Sequence, residues 1–143
     1  IYDNPTSIFV ASFIGNPPMN LLDGMVERTD GDVCIQGDGF TITVPAHLKR
    51  KMQDRDAVVV GIRPENIEIV SDSSQTDNVI QGQVGVIELL GDHKLLTVDL
   101  PNTVLRVAVP PTLPVKVNDN VQLGLGQDKI RLFDAVTKLA ITA

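Results

Sequence analysis

Apolar and polar residues alternate along most of the chain beyond residue 20. Phe40, Ile42 and Val44 alternate with two threonines, and the same period recurs in residues 96–100 and 105–109. A period of two is typical of antiparallel strands that bury one face. The pattern predicts strands at residues 22–29, 32–36, 40–44, 57–62, 67–70, 79–90, 94–100, 104–109, 121–126 and 130–133.

Many short strands separated by turn residues indicate a barrel or a sandwich, so we predict an all-β fold, an antiparallel β-barrel in two lobes. The polar segment 71–78 (SDSSQTDN) is predicted to be a mobile connection between the lobes. A lobe of about 60 residues would be only marginally stable alone, so we expect a shared core. Residues 45–53 are predicted to form a short helical turn between sheets.

The first segment of the chain predicts one short N-terminal helix. Asn4 can cap it, Pro5 suits the first helical position, and Gly15 can end it in the left-handed conformation. About ten residues are too few for a stable isolated helix, and this one is apolar nearly all round. It therefore needs a partner surface, which is either the core of this domain or that of a preceding one.

Charge and composition exclude several classes of function. The chain of 143 residues has a formal charge of −6 and 3% aromatic residues, which disfavours binding to nucleic acid or to anionic lipid. Its single cysteine permits no internal disulfide and no site with several thiolates. No apolar run approaches the roughly 20 residues of a membrane span. No basic segment and no cleavage site precede the fold, so we expect no secretory signal, and the lack of an initiator Met indicates a fragment of a longer protein.

No pattern of catalytic residues is present in the sequence. It contains neither a phosphate-binding GxxxxGK[ST] loop nor a nucleophile elbow. We expect His47 and His93 to be surface residues and Cys34 to be a buried, inert thiol. We therefore predict no catalytic, cofactor-binding or metal-ligating residue, and no enzyme activity for this chain alone.

The tripeptide Arg63-Pro64-Glu65 interrupts a strongly apolar run. Pro64 removes a ladder hydrogen bond and favours a turn or a sheet edge. From these residues alone, we expect a solvated strand end, and not a contact with another domain.

Four segments resemble motifs of one protein family. Residues 5–20 (PTSIFVASFIGNPPMN) resemble the segment that joins the ATPase domain to the C-terminal domain in maltose-transporter-type ABC ATPase subunits. Residues 61–65 (GIRPE), 86–91 (VIELLG) and 132–134 (LFD) resemble three further motifs, in the family's order. The resemblance implies a β-barrel related to the oligonucleotide-binding (OB) fold, of the TOBE or MOP-like type.

The resemblance also divides the chain. Residues 1–20 would be the last helix of an ATPase domain and the junction, and residues 21–143 would be the C-terminal β domain. The residues that it places at the domain junction are Phe9, Phe13, Gly15, Pro18, Met19 and Asn20. The residues that it marks as family motifs are Gly61, Arg63, Pro64, Glu65, Glu88 and Gly91.

The function implied by the resemblance is mechanical. The domain would be an accessory, regulatory part of the ATP-binding subunit of a bacterial ABC importer for sugars or polyols. Its partners would be its own ATPase domain, a second copy of the subunit, and membrane permease subunits reached through the ATPase domain. The subunit would lie in the cytoplasm, on the inner face of the cell membrane. ATP and magnesium would be bound by the ATPase domain, which drives transport, and no cofactor is expected in this chain.

Two other functions are compatible with such a barrel. Related barrels bind small oxyanions such as molybdate, which requires convergent amide groups or Lys and Arg side chains. The only cluster of such donors is Lys49-Arg50-Lys51. Oligonucleotide binding requires aromatic platforms in a basic groove, which an acidic chain with few aromatic residues does not offer.

Overall fold

The computed structural model describes residues 6–8, 17–29, 32–70 and 78–142. These residues form ten strands with short 3₁₀ helices between some of them. The strands are β1 (Asn20–Thr29), β2 (Asp32–Gly37), β3 (Phe40–Thr43), β4 (Ala57–Ile62), β5 (Ile67–Val70), β6 (Val79–Leu89), β7 (Lys94–Asp99), β8 (Val104–Val109), β9 (Asn120–Leu125) and β10 (Arg131–Asp134). The 3₁₀ helices span Ala46–Met52, Pro64–Asn66 and Gln127–Lys129.

The strands make two antiparallel sheets of five strands each. The first has the order β10-β4-β1-β2-β3 and the second the order β5-β9-β6-β7-β8. The all-β prediction is confirmed, and each predicted strand is present with its ends within two residues of those expected. The helical turn predicted at residues 45–53 is also present, as the first 3₁₀ helix.

The sheets do not correspond to the two halves of the chain, so the predicted boundary between lobes at residues 71–78 is wrong. Strand β5 precedes that segment but pairs with β9, and β10 follows it but returns to pair with β4. The halves therefore exchange strands. One core of buried Val, Ile and Leu residues from both sheets results, which confirms the expected shared core.

The second sheet is curled. Its two edge strands, β5 and β8, contact each other, and β6 changes register between Val84 and Val86 where it pairs with β7. A bulge of this kind bends a strand and increases its twist, which lets five strands curve into a half-barrel. Among the described residues, no helix has the length and apolarity needed to cross a bilayer.

The start of the predicted N-terminal helix differs from the structure. Ser7 forms a β-bridge with Leu139, and the N–H of Ile8 donates to the carbonyl of Lys138 at 2.9 Å. The main chain of residues 6–8 thus bonds to the C-terminal segment, and Thr6 and Ser7 are not helical, whereas Ile8 is. The rest of the predicted helix, including Asn4, Pro5 and Gly15, lies outside the described residues.

Candidate functional site: the junction and the crossover corner

The motif at residues 61–65 is the place where the chain leaves the first sheet for the second. Strand β4 ends at Ile62, and the 3₁₀ helix Pro64–Asn66 leads directly into β5. Pro64 fixes φ and has no N–H, so the β4 ladder cannot continue through it. The N–H of Asn66 donates to the carbonyl of Arg63 at 2.9 Å and closes the turn. We call residues 63–66 the crossover corner.

The crossover corner is largely buried, which corrects the expectation of a solvated strand end. The side chain of Arg63 is only 2% exposed, and Pro64 is buried beside it, whereas Glu65 is exposed. The corner packs against β8, so the turn lies between the two sheets. A guanidinium group is rarely buried unless its environment is polar and specific, which marks Arg63 as a structural residue of this corner.

Asn20 joins the first strand to the other sheet. Its Nδ2 donates to the carbonyl of Arg106 and its Oδ1 accepts from the N–H of Arg106, both at 2.8 Å. Arg106 lies on β8, an edge strand whose backbone groups lack a neighbouring strand on one side. Asn20 is 8% exposed, and its carboxamide supplies the donor and the acceptor that a neighbouring strand would provide.

The third motif connects to the same place through Arg106. Its guanidinium group donates to Glu88 of β6 at 2.9 Å, across the outer face of the second sheet. Both side chains are partly exposed, so this ion pair contributes little stability but defines a polar surface beside the corner. Gly91 lies further away, in the β6–β7 turn, where its φ of +80° favours glycine.

Met19 packs on the opposite face of the first sheet. It forms a small cluster with Val59 and Phe133, against which Ile8 and Leu21 also pack. A Cβ atom at Gly61 would lie 2.6 Å from the sulfur of Met19 and 2.9 Å from the ring of Phe133. The glycine of the second motif therefore provides the space that the methionine of the first motif occupies.

The last motif closes the C-terminal turn. Oδ1 of Asp134 accepts the N–H groups of Val136 and Thr137, each at 2.8 Å, and Oδ2 pairs with Arg55. The hydrogen bonds from Thr137 and Val136 hold the pKa of Asp134 below its usual value, and Arg55 adds to this. The turn returns the chain so that Ile141 N–H bonds to the carbonyl of Leu132 on β10.

The structure therefore brings only some of the predicted site residues together. Asn20 and Glu88 both bond to Arg106, and the crossover corner packs on the same strand, while Met19 and Gly61 meet on the other face of the sheet. Pro18 is exposed at the start of this region. Phe9, Phe13 and Gly15 lie outside the described residues, and the role of the set as a domain junction stays a prediction.

Sequence reasoning missed two residues that bond across the sheets. Arg106 is one, since a polar residue in an alternating strand gives no sign of a partner. Asn78 is the other: the prediction placed it in a mobile connection, but it is 3% exposed. Its Oδ1 accepts from the N–H of Thr43 at 2.9 Å, and its Nδ2 donates to the carbonyl of Leu125 at 3.3 Å. The remaining residues of that connection, 71–77, lie outside the described part.

The groups capable of chemistry are dispersed. His47 is exposed, as expected, and Cys34 is half-buried on β2, so the expectation of a fully buried thiol is wrong. His93 is half-buried and lies 2.6 Å from the carboxylate of Asp92, and this hydrogen bond lowers the pKa of Asp92. In the described ranges, no three His, Cys, Asp or Glu side chains are grouped to hold a metal ion. The contacts among the described residues are suited to holding elements together.

Two family profiles match the chain in sequence. The profile of the MalK OB fold domain matches residues 15–67, and that of the TOBE domain matches residues 60–133. They overlap at the crossover corner, so the β4-to-β5 turn belongs to both.

Curated relatives match over nearly the whole chain. The xylose/arabinose import ATP-binding protein XacJ of Haloferax volcanii is 32% identical, over 98% of this chain and 38% of its own length. The sulfoquinovosyl glycerol transport ATP-binding protein SmoE of Agrobacterium fabrum is 32% identical, over 99% of this chain and 38% of its own length. YurJ of Bacillus subtilis, an uncharacterized ABC transporter ATP-binding protein, is 30% identical, over 99% and 40%. The chain thus spans about two fifths of the length of these relatives.

A solved structure shares the fold. The cytoplasmic molybdate-binding protein ModG, with molybdate bound, superposes with a TM-score of 0.59 at 19% identity and covers 79% of this chain and 94% of its own. At this level of identity the similarity concerns the fold alone. The predicted OB-like barrel and the resemblance to sugar-importer ATP-binding subunits are both confirmed.

Proposed function

The chain belongs to the TOBE-domain family, and we propose that it is the accessory C-terminal domain of the ATP-binding subunit of an ABC importer for sugars or polyols. In this proposal it braces the subunit dimer while a separate domain hydrolyses ATP. Two of the three relatives above are named as import or transport ATP-binding proteins for sugars or sugar derivatives. The chain covers about two fifths of such proteins, and in this proposal its role is attachment, while ATP hydrolysis belongs to the separate domain.

The observation that carries the proposal is the way in which the segment before β1 is attached. Met19 packs under Phe133 in the space left by Gly61, and Asn20 bonds to the backbone of β8. Two consecutive residues are therefore held by different sheets, Met19 by the first and Asn20 by the second. A segment held on both sides transmits a displacement to the whole barrel, which suits a brace between moving domains.

The partners follow from this role. They are an ATPase domain preceding the barrel, a second copy of the subunit, and permease subunits contacted through the ATPase domain. The subunit would act in the cytoplasm at the inner face of the membrane. ATP and magnesium would bind to the ATPase domain, so we expect the 143-residue chain to show no ATP turnover above a mock-purified control.

A chimera tests the proposal. This chain replaces the matching C-terminal part of a sugar-import ATP-binding relative, and subunit dimerisation is measured by sedimentation across a concentration series, with and without ATP. We expect the chimera to dimerise as the intact relative does, whereas the relative truncated before this region should dissociate at higher concentrations.

A second variant is the same chimera carrying Asn20→Ala, which removes both hydrogen bonds between the junction and β8. Weaker dimerisation or uncoupled ATP turnover in this variant is expected. A truncated relative that dimerises as tightly as the chimera would contradict the bracing role.

Oxyanion binding is tested in parallel. Titration of the chain with molybdate, sulfate and phosphate by calorimetry should give no saturable heat. Micromolar binding of any of the three would instead support a small-anion receptor and count against a purely mechanical domain.

A further inference from the structure

A cleft lined by carboxamides lies on the outer face of the second sheet, away from the crossover corner. Gln81 pairs with Gln122, and Gln83 with Asn120, as direct cross-strand neighbours of β6 and β9. The same cleft includes Asp99 and has a volume of about 420 Å³. Paired positions on one face of an antiparallel sheet bring side chains within contact distance, so four amide groups converge here.

The wall of the cleft is amphipathic. Leu100 and Pro101 line it beside the amides, and Val121 contributes a further apolar surface. A few convergent polar groups with apolar walls are the usual composition of a small-molecule site, and the volume lies within the range of such sites, about 300–1,000 Å³.

The charge of the cleft determines which ligand it fits. Neither Lys nor Arg is among the residues that line it, and Asp99 adds a negative charge. Oxyanions require positive charge or convergent N–H donors, so this site would repel them. Carboxamides both donate and accept hydrogen bonds, and a carboxylate accepts from hydroxyl groups. The matching ligand is neutral and rich in hydroxyl groups.

One of the four amide side chains has an oxygen without a hydrogen bond. Oε1 of Gln122 is buried, and no donor for it exists among the residues that the structure describes. Gln83 differs, since its Nε2 already donates to the carbonyl of Asn118 at 3.1 Å. A buried acceptor without a donor is destabilising unless a ligand or a water molecule supplies one.

We propose that this cleft, which we call the amide cleft (residues 81–83, 99–101 and 120–122), binds a small neutral polyhydroxy compound, a sugar or a polyol. The carboxamides of Gln122 and Gln81 bond to one hydroxyl group from the two facing strands, and Asp99 accepts from a second hydroxyl. Leu100 and Pro101 contact the carbon skeleton. The site goes beyond the proposed brace and stands on the geometry of the cleft alone.

The test is a titration of the full 143-residue chain with glycerol, xylose, glucose and maltose. Calorimetry measures binding, and nuclear magnetic resonance follows the side-chain NH₂ signals of glutamine and asparagine. We expect at least one of the four probes to bind saturably at millimolar concentrations and to shift the signals of Gln122 and Gln81. Molybdate serves as the anionic comparison and should shift neither.

Variants then locate the site. Gln122→Leu removes one carboxamide of the cleft at similar volume and should weaken binding by roughly three- to tenfold, the worth of one hydrogen bond. Gln81→Leu, at an exposed position, gives a second variant should the first fail to fold. Gln53→Leu changes an exposed amide outside the cleft and should leave binding unchanged.

Three results would overturn the proposal: no saturable binding of any probe, unchanged affinity in folded cleft variants, or molybdate binding in place of the sugars. Molybdate binding would also count against the proposed brace, whereas the other two results leave the brace untouched, so the two failures can be told apart.

Discussion

The bond between Asn20 and β8 gives the sharpest test of how the two sheets are joined. Asn20→Ala removes a carboxamide that makes two hydrogen bonds of 2.8 Å to the backbone of Arg106. The methyl group replaces neither bond, and the site is too enclosed for free access of water, because Asn20 is buried. A typical hydrogen bond is worth about 1 kcal/mol, and a buried group left unsatisfied costs about 1–3 kcal/mol. We therefore expect a loss of about 2–4 kcal/mol, a large share of a typical unfolding free energy of about 5–15 kcal/mol.

The assay is urea unfolding followed by circular dichroism, since the chain contains no tryptophan. Amide hydrogen exchange provides the local reading, because the N–H of Arg106 loses its acceptor and should exchange faster than its neighbours in β8. Asn102→Ala is the matched control: this exposed asparagine bonds to the exposed Asp38, so the change should stay within about 0.5 kcal/mol.

A loss below about 0.5 kcal/mol in Asn20→Ala, together with unchanged protection of Arg106, would contradict a role of the carboxamide in joining the sheets. That result would mean that β8 is held by its pairing with β7 and by the core alone. The carboxamide would then be incidental to the joining of the sheets.

Two further predictions concern other motif residues. Gly61→Ala should destabilise the domain by about 1–3 kcal/mol, because the added methyl group meets the sulfur of Met19 at 2.6 Å. Gly91→Ala should be strained only by its φ of +80°, because the space around the new Cβ is open. Thermal melts of both variants separate crowding from backbone strain, and equal losses would contradict the packing argument. Asp134, whose pKa is lowered from 3.8 chiefly by the N–H of Thr137, favours the folded state in its charged form, so its contribution is full above its unfolded pKa and is lost as pH falls through the lower folded pKa. The difference in unfolding free energy between the natural chain and Asp134→Asn should therefore shrink as pH falls below the unfolded pKa of 3.8, and a difference that does not change with pH would show that the charge is unimportant.

The strands were the part of the fold that local pattern could predict. In segments such as Phe40–Thr43, the alternation of apolar and polar residues reports one buried face, and this is a property of neighbouring residues. Strand ends shifted by a residue or two, as at Asn20, which the prediction left before β1. Its pairing with Ile62 is a long-range contact, so local alternation carries no sign of it.

Function was predicted from motif resemblance, and the structure supplies the physical reasons for those motifs. Gly61 leaves space for Met19, Pro64 ends β4 at the crossover corner, and Asp134 organises the C-terminal turn. No sequence motif indicated the amide cleft. Its members lie on strands about 40 residues apart and become neighbours only through the pairing of β6 with β9.

Local patterns in the sequence were enough to predict the all-β class and the positions of the strands, because both depend on residues close together in the chain. The tertiary structure decided which sheet each strand joins, and hence that β5 and β10 change sides. It also decided that Arg63 and Asn78, polar residues expected in solvent, are buried. Burial and pairing depend on which distant segments meet, and the chain brings those segments together only when both sheets close on one core.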